Sequence, residues 1–238
     1  MNDLFDLLDY QPSRPVPEEI VSEFRFMRMR VRAGKALYRM NQPFNAVYVI
    51  RLGQMKTVLH GLDGDERILY FPMKGDFLGF DGIYLERYAT DAVALTDTEL
   101  LLLPYRQLLV LGGRFLEFAG VIYKAASREM NRGRETESLQ CSLKAEARVA
   151  WFIESQAQRC EAQGFSPSCF VLPMTRRDIG NYLGVSLETV SRAISTLSAQ
   201  GIISVNRRSI KINKPEALHG FRPVKAGTTP LVLPRLFE

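Results

Sequence analysis

The sequence predicts an α+β chain in three parts: an N-terminal β jelly roll, a long connecting helix and a C-terminal winged helix-turn-helix. Three observations carry this. From about 26 to 104, short apolar segments are punctuated by glycine at positions 34, 53, 61, 64, 75, 79 and 82, the texture of short strands joined by tight turns. From Tyr105 onward that texture gives way to apolar residues at steps of three or four, the period of one helix face. Beyond residue 174, two short amphipathic segments flank a glycine and lead into an alternating strip, in the order helix, turn, helix, hairpin.

Residues 1–25 read as a polar lead-in, in which Pro12, Pro15 and Pro17 discourage continuous helix before a short helical piece from Glu18. The barrel is assigned to 26–110, with strands at 46–51, 54–59, 66–71, 90–95 and 99–103. Leu62-Asp63-Gly64-Asp65 reads as a hairpin turn. In the helix at 111–143, Phe115, Ala119, Ile122, Ala126 and Met130 form a stripe. Such a stripe can bury against the barrel. The preferred reading is that part of it packs on the same helix of a second subunit, because a homodimer doubles the recognition surface and suits a two-fold DNA site.

The third part, 144–218, opens with an amphipathic helix at 145–163 carrying Val149, Phe152 and Ile153. Thr175 with Asp178 three residues on is a helix-start signature, and Ile179, Tyr182 and Leu183 then mark one buried face. Gly184 suits the left-handed exit of that helix, Val185 pins the turn, and Ser186 caps a second helix running to about Ser198. Val190, Ile194 and Leu197 lie on one side of this helix, and Leu187, Glu188, Ser191, Arg192 and Ser195 on the other. A helix in the major groove of double-stranded DNA needs such groups: Glu accepts from cytosine, Ser approaches a base edge, and Arg forks onto guanine. An ordinary helical hairpin with a solvated polar face has no need of cap, glycine, second cap and Arg at these spacings. The strip 201–213 alternates apolar and polar residues around Asn206-Arg207-Arg208, a wing whose Arg207, Arg208 and Lys211 would lie beside phosphates. Residues 219–238, with Pro223, Pro230 and Pro234, read as a loosely held tail.

Composition agrees. The 238 residues are 46% hydrophobic and 24% charged, a globular composition with room for two cores. Net charge is −2 over 1–110, +1 over 111–143 and +6 over 144–238, so the positive excess sits with the DNA-reading motif. The N-terminus lacks a secretory pattern and no run reaches a membrane span, so a cytoplasmic protein without a membrane partner is expected. Cys141, Cys160 and Cys169 are odd in number and lack CxxC spacing, which argues against a disulfide framework or a structural zinc site.

Barrel, connecting helix and winged helix-turn-helix together resemble the CRP/FNR family of bacterial transcription regulators over roughly residues 20–218. The barrel is then a cyclic-nucleotide-binding-like sensor and 111–143 the dimerisation helix. Two passages are specific: Gly75-Asp-Phe-Leu-Gly-Phe-Asp-Gly82, similar to the GDLVGFD segment of the FNR branch, and 164–167 followed by 174–184, nearly that branch's wording. Glu188, Ser191 and Arg192 match its E-x-x-S-R, where the CRP branch has R-E-x-x-x-R. The resemblance implies an FNR-type box, TTGAT-N4-ATCAA, and phosphate contacts from Thr175 and Arg176, with Ser186 and Thr189 on the same side. It also implies activation through RNA polymerase, for which a contact patch falls at Asp63 to Arg67.

For the signal, the resemblance offers readings that the residues sort. Cyclic AMP members hold the ligand through a Glu and an Arg-Ser pair; the matching positions are Phe80 and Tyr88-Ala89, with Arg87 adjacent, so the phosphate lacks its charge partner. An iron–sulfur cluster needs thiolates, yet residues 1–140 contain no cysteine and the matching barrel position is Leu101. Haem would need an axial ligand from His60, Met55, Met73 or Tyr84. A redox switch would use Cys160 or Cys169, which equally serve as small packing residues. With no cofactor predicted, control through the protein's abundance is the favoured reading. A cupin-type metalloenzyme is the competing class, but it needs several His. His60 and His219 are the only two, and neither a catalytic triad nor a P-loop is visible, so no enzyme and no metal site is expected. A dimerising module that never meets DNA has no use for Arg192 and a basic wing.

Overall fold

The computed structural model describes residues 27–61 and 64–220. The expected lead-in, the tail beyond 220 and the Leu62-Asp63 half of the expected turn lie outside the described residues. Eight strands form the first domain: β1 Met27–Val31, β2 Ala36–Tyr38, β3 Ala46–Leu52, β4 Met55–His60, β5 Glu66–Tyr70, β6 Phe77–Leu78, β7 Asp91–Ala94 and β8 Thr98–Pro104. They make two antiparallel four-stranded sheets, ordered β1-β8-β3-β6 and β2-β7-β4-β5, as the jelly-roll reading requires. β3 shows why the strands form. Its residues 46–50 are all buried, because the pleat sends Ala46, Tyr48 and Ile50 into the barrel and Val47 and Val49 outward under the connecting helices.

Those helices begin at Tyr105 as expected but depart from the expectation of one long helical pattern. α1 spans Tyr105–Arg114, Phe115 is extended at φ −128° and ψ 103°, and α2 spans Leu116–Ser142. Gly112 and Gly113 weaken the end of α1, and the extended Phe115 lets its ring reach the barrel. Phe115 and Ile122 pack with Phe118 against Val47, Val49, Leu101 and Leu103. Of the stripe, Phe115 and Ile122 touch their own barrel, yet they are half-buried like Ala119 and Ala126, and Met130 is open. The outward apolar residues of α2 are Leu116, Tyr123 and Met130, 86%, 73% and 63% exposed and seven apart, a coiled-coil spacing.

The second domain comprises α3 Ala145–Ala162, β9 Cys169–Val171, α4 Arg176–Leu183, α5 Leu187–Ala199, β10 Ile203–Asn206, β11 Ser209–Ile212 and α6 Pro215–His219, with sheet order β10-β11-β9. Its core joins Val149, Phe152 and Ile153 of α3 to Ile179, Leu183, Val190, Ile194 and Leu197. Val58, Ile68 and Phe71 of the barrel belong to the same cluster, and the Phe71 ring meets Phe152 and Tyr182 edge-on at 5.9 and 5.3 Å. The two domains are therefore packed through a continuous apolar contact.

Polar groups fix the register of that contact. Asp76, its side chain 5% exposed, pairs with Arg132 of α2 and with Arg159 of α3, the latter at 2.7 Å, and accepts the Tyr70 hydroxyl at 3.0 Å. Both guanidiniums lie over the Tyr70 ring, 4.3 and 4.7 Å from its centroid. Lys56 of β4 meets Asp178 of α4 at 2.6 Å, and Asn181 accepts from the Ile68 N–H at 2.6 Å while donating to the Glu66 carbonyl.

Candidate nucleic-acid interface

The helix-turn-helix is built by local chemistry in the expected order. Thr175 Oγ1 accepts from the Asp178 N–H at 3.1 Å, and the Asp178 carboxylate accepts from the Thr175 N–H at 2.9 Å. This closed capping box satisfies two donors that the first turn would otherwise leave open, a cap being worth about 1 kcal/mol. Gly184 ends α4 in the left-handed region at φ 66°. Ser186 Oγ then accepts from the Thr189 N–H at 3.1 Å, starting α5.

One element of the turn escaped sequence reasoning. A Cβ on Gly180 would stand 2.6 Å from the Val185 carbonyl oxygen, so only glycine lets the first helix approach the turn this closely. Its signal in the sequence was a glycine in mid-helix, where the residue is otherwise unfavourable.

Burial sets the rotation of α5. Val190, Ala193, Ile194 and Leu197 are buried, which turns Glu188, Arg192 and Ser195 to solvent and leaves Ser191 half-buried at the edge. Hydrogen bonds from its own backbone N–H and from Ser186, helped by Arg192 one turn on, hold the Glu188 carboxyl below the usual range. Glu188 is thus an anion at neutral pH, an acceptor only. Lys144, just before α3, joins Thr189, Ser191, Arg192 and Ser195 in lining an open groove; it too was not singled out from the sequence.

The wing is a two-residue hairpin, with Asn206 paired to Ser209 and Arg207 at φ 55°, the positive φ such turns demand. Arg207 and Lys211 are exposed. Arg208 is also exposed, but its guanidinium donates to the Pro173 carbonyl at 3.0 Å, tying the wing to the segment before α4. Two further phosphate candidates are less free than expected. The Thr175 hydroxyl donates to Asp178 at 2.7 Å, so it contributes through the cap, and Arg176 is half-buried, its guanidinium pKa lowered by burial.

The thiols differ. Cys160 is half-buried in α3, and burial pushes its pKa up against the opposing effect of Arg159, which disfavours the reactive thiolate. Cys169 is exposed on β9, 4.0 Å from the Ser209 hydroxyl. No group of three or more His, Cys, Asp or Glu suited to a metal occurs among the described residues, and no helix among them is long and apolar enough to cross a membrane.

Comparison with known proteins agrees with this geometry. Residues 28–112 match a model of the cyclic nucleotide-binding domain and residues 147–221 a model of the Crp-like helix-turn-helix domain. The chain is 34% identical over 195 residues to the transcriptional regulatory protein btr of Bordetella pertussis, covering 82% of this chain and 79% of the relative. It is 35% identical over 188 residues to the fumarate and nitrate reduction regulatory protein of Yersinia pestis, covering 79% and 75%. Among solved structures it resembles FixK2 from Bradyrhizobium japonicum, with a TM-score of 0.77 and 28% identity over 85% of this chain and 100% of the other. A barrel, a long helix and a winged helix-turn-helix with an exposed Glu188 and Arg192, matched along most of their length by such relatives, lead to one conclusion: the chain belongs to the CRP/FNR family of DNA-binding transcription regulators.

Proposed function

We propose that this protein is a cytoplasmic, homodimeric regulator that reads the FNR-type palindrome TTGAT-N4-ATCAA and activates transcription through RNA polymerase, without catalysis of its own. The observation that carries the specificity is the exposure of Glu188 and Arg192 on α5, with Ser191 beside them, in the family's E-x-x-S-R spacing. Arg207, Lys211 and the capped helix starts at Thr175 and Ser186 supply phosphate contacts, and Arg176, Thr189 and Arg208 flank them. For the dimer, the seven-residue spacing of exposed Leu116, Tyr123 and Met130, with Ala119 and Ala126 near them, supports α2 as the contact. The polymerase patch is assigned by analogy to Asp63 to Arg67, of which Asp63 lies outside the described residues.

The barrel's residues do not suit the family's familiar ligands. Phe80 is stacked on Phe77, ring centroids 5.2 Å apart, and the Tyr88 hydroxyl donates to the Ala46 carbonyl at 2.9 Å. Of the matching positions, Phe80 and Tyr88 are thus engaged within the barrel, and the adjacent Arg87 is exposed and donates to the Asn41 carbonyl at 2.8 Å. Of the haem candidates, His60 pairs with Asp91 at 3.2 Å, Met55 is fully buried in the barrel core and Tyr84 is 91% exposed. Residues 1–140 offer no thiolate for an iron–sulfur cluster.

The test is a gel-shift titration of the full-length protein on the TTGAT-N4-ATCAA duplex. Arg192→Ala should weaken binding by roughly ten- to a hundredfold, the ~1–3 kcal/mol of one bidentate base contact, with an unchanged melting temperature. Equal binding by variant and wild type would remove Arg192 as the reader.

A further inference from the structure

The joint between α2 and α3 consists of Leu143 and Lys144, the latter extended at φ −64° and ψ 153°, and the last carbonyls of a helix have no partner within it. Arg148, in the first turn of α3, supplies one. Its Nε donates to the Leu143 carbonyl at 3.0 Å and its Nη2 to the Gln140 carbonyl of α2. The remaining nitrogen of the same guanidinium, Nη1, donates to the carbonyl of Leu183 at 3.1 Å, the last residue of α4. One side chain therefore ties together the end of the long helix, the joint and the end of the first helix of the DNA-reading motif.

Gln140 repeats the connection from the side of α2. Its amide donates to the Tyr182 carbonyl at 2.9 Å, and its oxygen accepts from Arg67 of β5 at 3.1 Å. Thr136, one turn earlier, has its hydroxyl 3.1 Å from that of Tyr182. A Cβ on Gly184 would stand 3.6 Å from Gln140 Cδ and 3.8 Å from Arg148 Nη1, so both side chains rest on the glycine of the turn between α4 and α5. That turn is thus seated on the end of the helix proposed to form the dimer contact.

One base pair added between the half-sites of a palindrome moves the second half-site by about 3.4 Å and rotates it by about 35°. A dimer rejects the longer site only if α5 cannot follow, and a two-residue joint does not by itself prevent that. A guanidinium does, because its donors diverge from a rigid plane and hold carbonyls of different elements at fixed angles. We infer that Arg148, backed by Gln140, is the positioning residue for half-site spacing: it fixes α5 relative to α2, and so sets the gap that the dimer accepts, while acting through α4 and not on the bases. The inference rests on the homodimer and palindrome proposed above.

Gel-shift titration of the full-length protein tests it, on duplexes with the TTGAT and ATCAA half-sites separated by three, four, five or six base pairs and on a duplex with a single half-site. Wild type should prefer the four-base-pair gap by about tenfold or more. Arg148→Ala should bring the four- and five-base-pair affinities within about threefold of each other, with binding to the single half-site changed by less than about threefold. Gln140→Ala should act in the same direction, more weakly. The inference is overturned if Arg148→Ala keeps the wild-type preference, or if it loses affinity equally at every spacing and on the single half-site, the mark of a merely structural role. Wild type indifferent to spacing would sink the palindromic reading and this inference together, so the wild-type profile tells the two failures apart. Should Arg148→Ala fail to fold, Arg148→Lys decides, because it keeps the charge without the rigid fork.

Discussion

The winged helix domain presents two polar faces built in opposite ways. Toward the barrel, Asp178, Asn181 and Arg159 are tied to Lys56, Glu66, Ile68 and Asp76 at hydrogen-bond distance. Away from it, Glu188, Arg192, Arg207 and Lys211 are exposed, bonded to nothing beyond their own element's neighbourhood. Both faces are rich in charge, so charge alone does not tell a holding surface from a reading one. Saturation does: groups that hold the domain have exchanged water for fixed partners, whereas the groups proposed to meet DNA retain their hydration, which phosphates and bases would replace.

The strongest way to break this contrast is to remove the carboxylate at the centre of the holding face. Asp76→Ala leaves Arg132 and Arg159 side by side over Tyr70 without their counter-ion, and breaking a buried pair of this kind costs about 3–5 kcal/mol. Urea unfolding should show a loss of that size, with hydrogen exchange in α3 accelerated. A loss below about 1 kcal/mol would mean that the apolar contact through Phe71 holds the domains by itself and the polar ties add only register.

The complementary change on the reading face is smaller and of another kind. Arg207→Ala should leave the melting temperature where it is, since exposed substitutions usually fall within about 0.5 kcal/mol. It should weaken DNA binding a few-fold and reduce the slope of log K against log salt by about 1. An unchanged slope would show that the wing tip stays clear of the backbone, and Arg208, held on Pro173, would then be the wing's phosphate contact.

The same contrast explains what could be read from the sequence. Cap residues Thr175, Asp178 and Ser186, Gly184 and the Arg207-Arg208 turn were legible because each acts within three or four residues of chain. The long strands were legible too, β3, β4, β5, β7 and β8 falling within a residue or two of their expected places. β1, β2 and β6 were not, since MRMRV lacks a strand composition and the other two span three and two residues. Everything that depends on contacts distant in sequence was hidden. Ile122 lies on the helical stripe in any case, and nothing in its spacing revealed that it touches its own barrel beyond the break at Phe115. Asp178 announced itself as a capping residue, but nothing nearby in the chain revealed Lys56, 122 residues away. The exposed face was legible because it comes from the contiguous stretch 188–211, and the holding face was not because it is assembled from five separate segments.

Glu129 belongs to neither class, since it is exposed yet stands close enough to Asp81 and Asp76 for their charges to oppose its own, and it gives the smallest and most selective test. Desolvation raises its folded-state pKa to about 7, with Asp81 and Asp76 adding to the effect and Arg132 opposing it, against about 4.3 in an unfolded chain. Below the unfolded value both states carry the proton and the group is neutral toward stability. As pH rises from there through 7, the unfolded chain ionises first, so folded stability falls and stays lower above 7. Glu129→Gln keeps the shape without the charge. It should match wild type near pH 4 and melt about 3 °C higher at pH 8, a shift corresponding to roughly 1 kcal/mol for a chain of this size, with solvent screening the remainder.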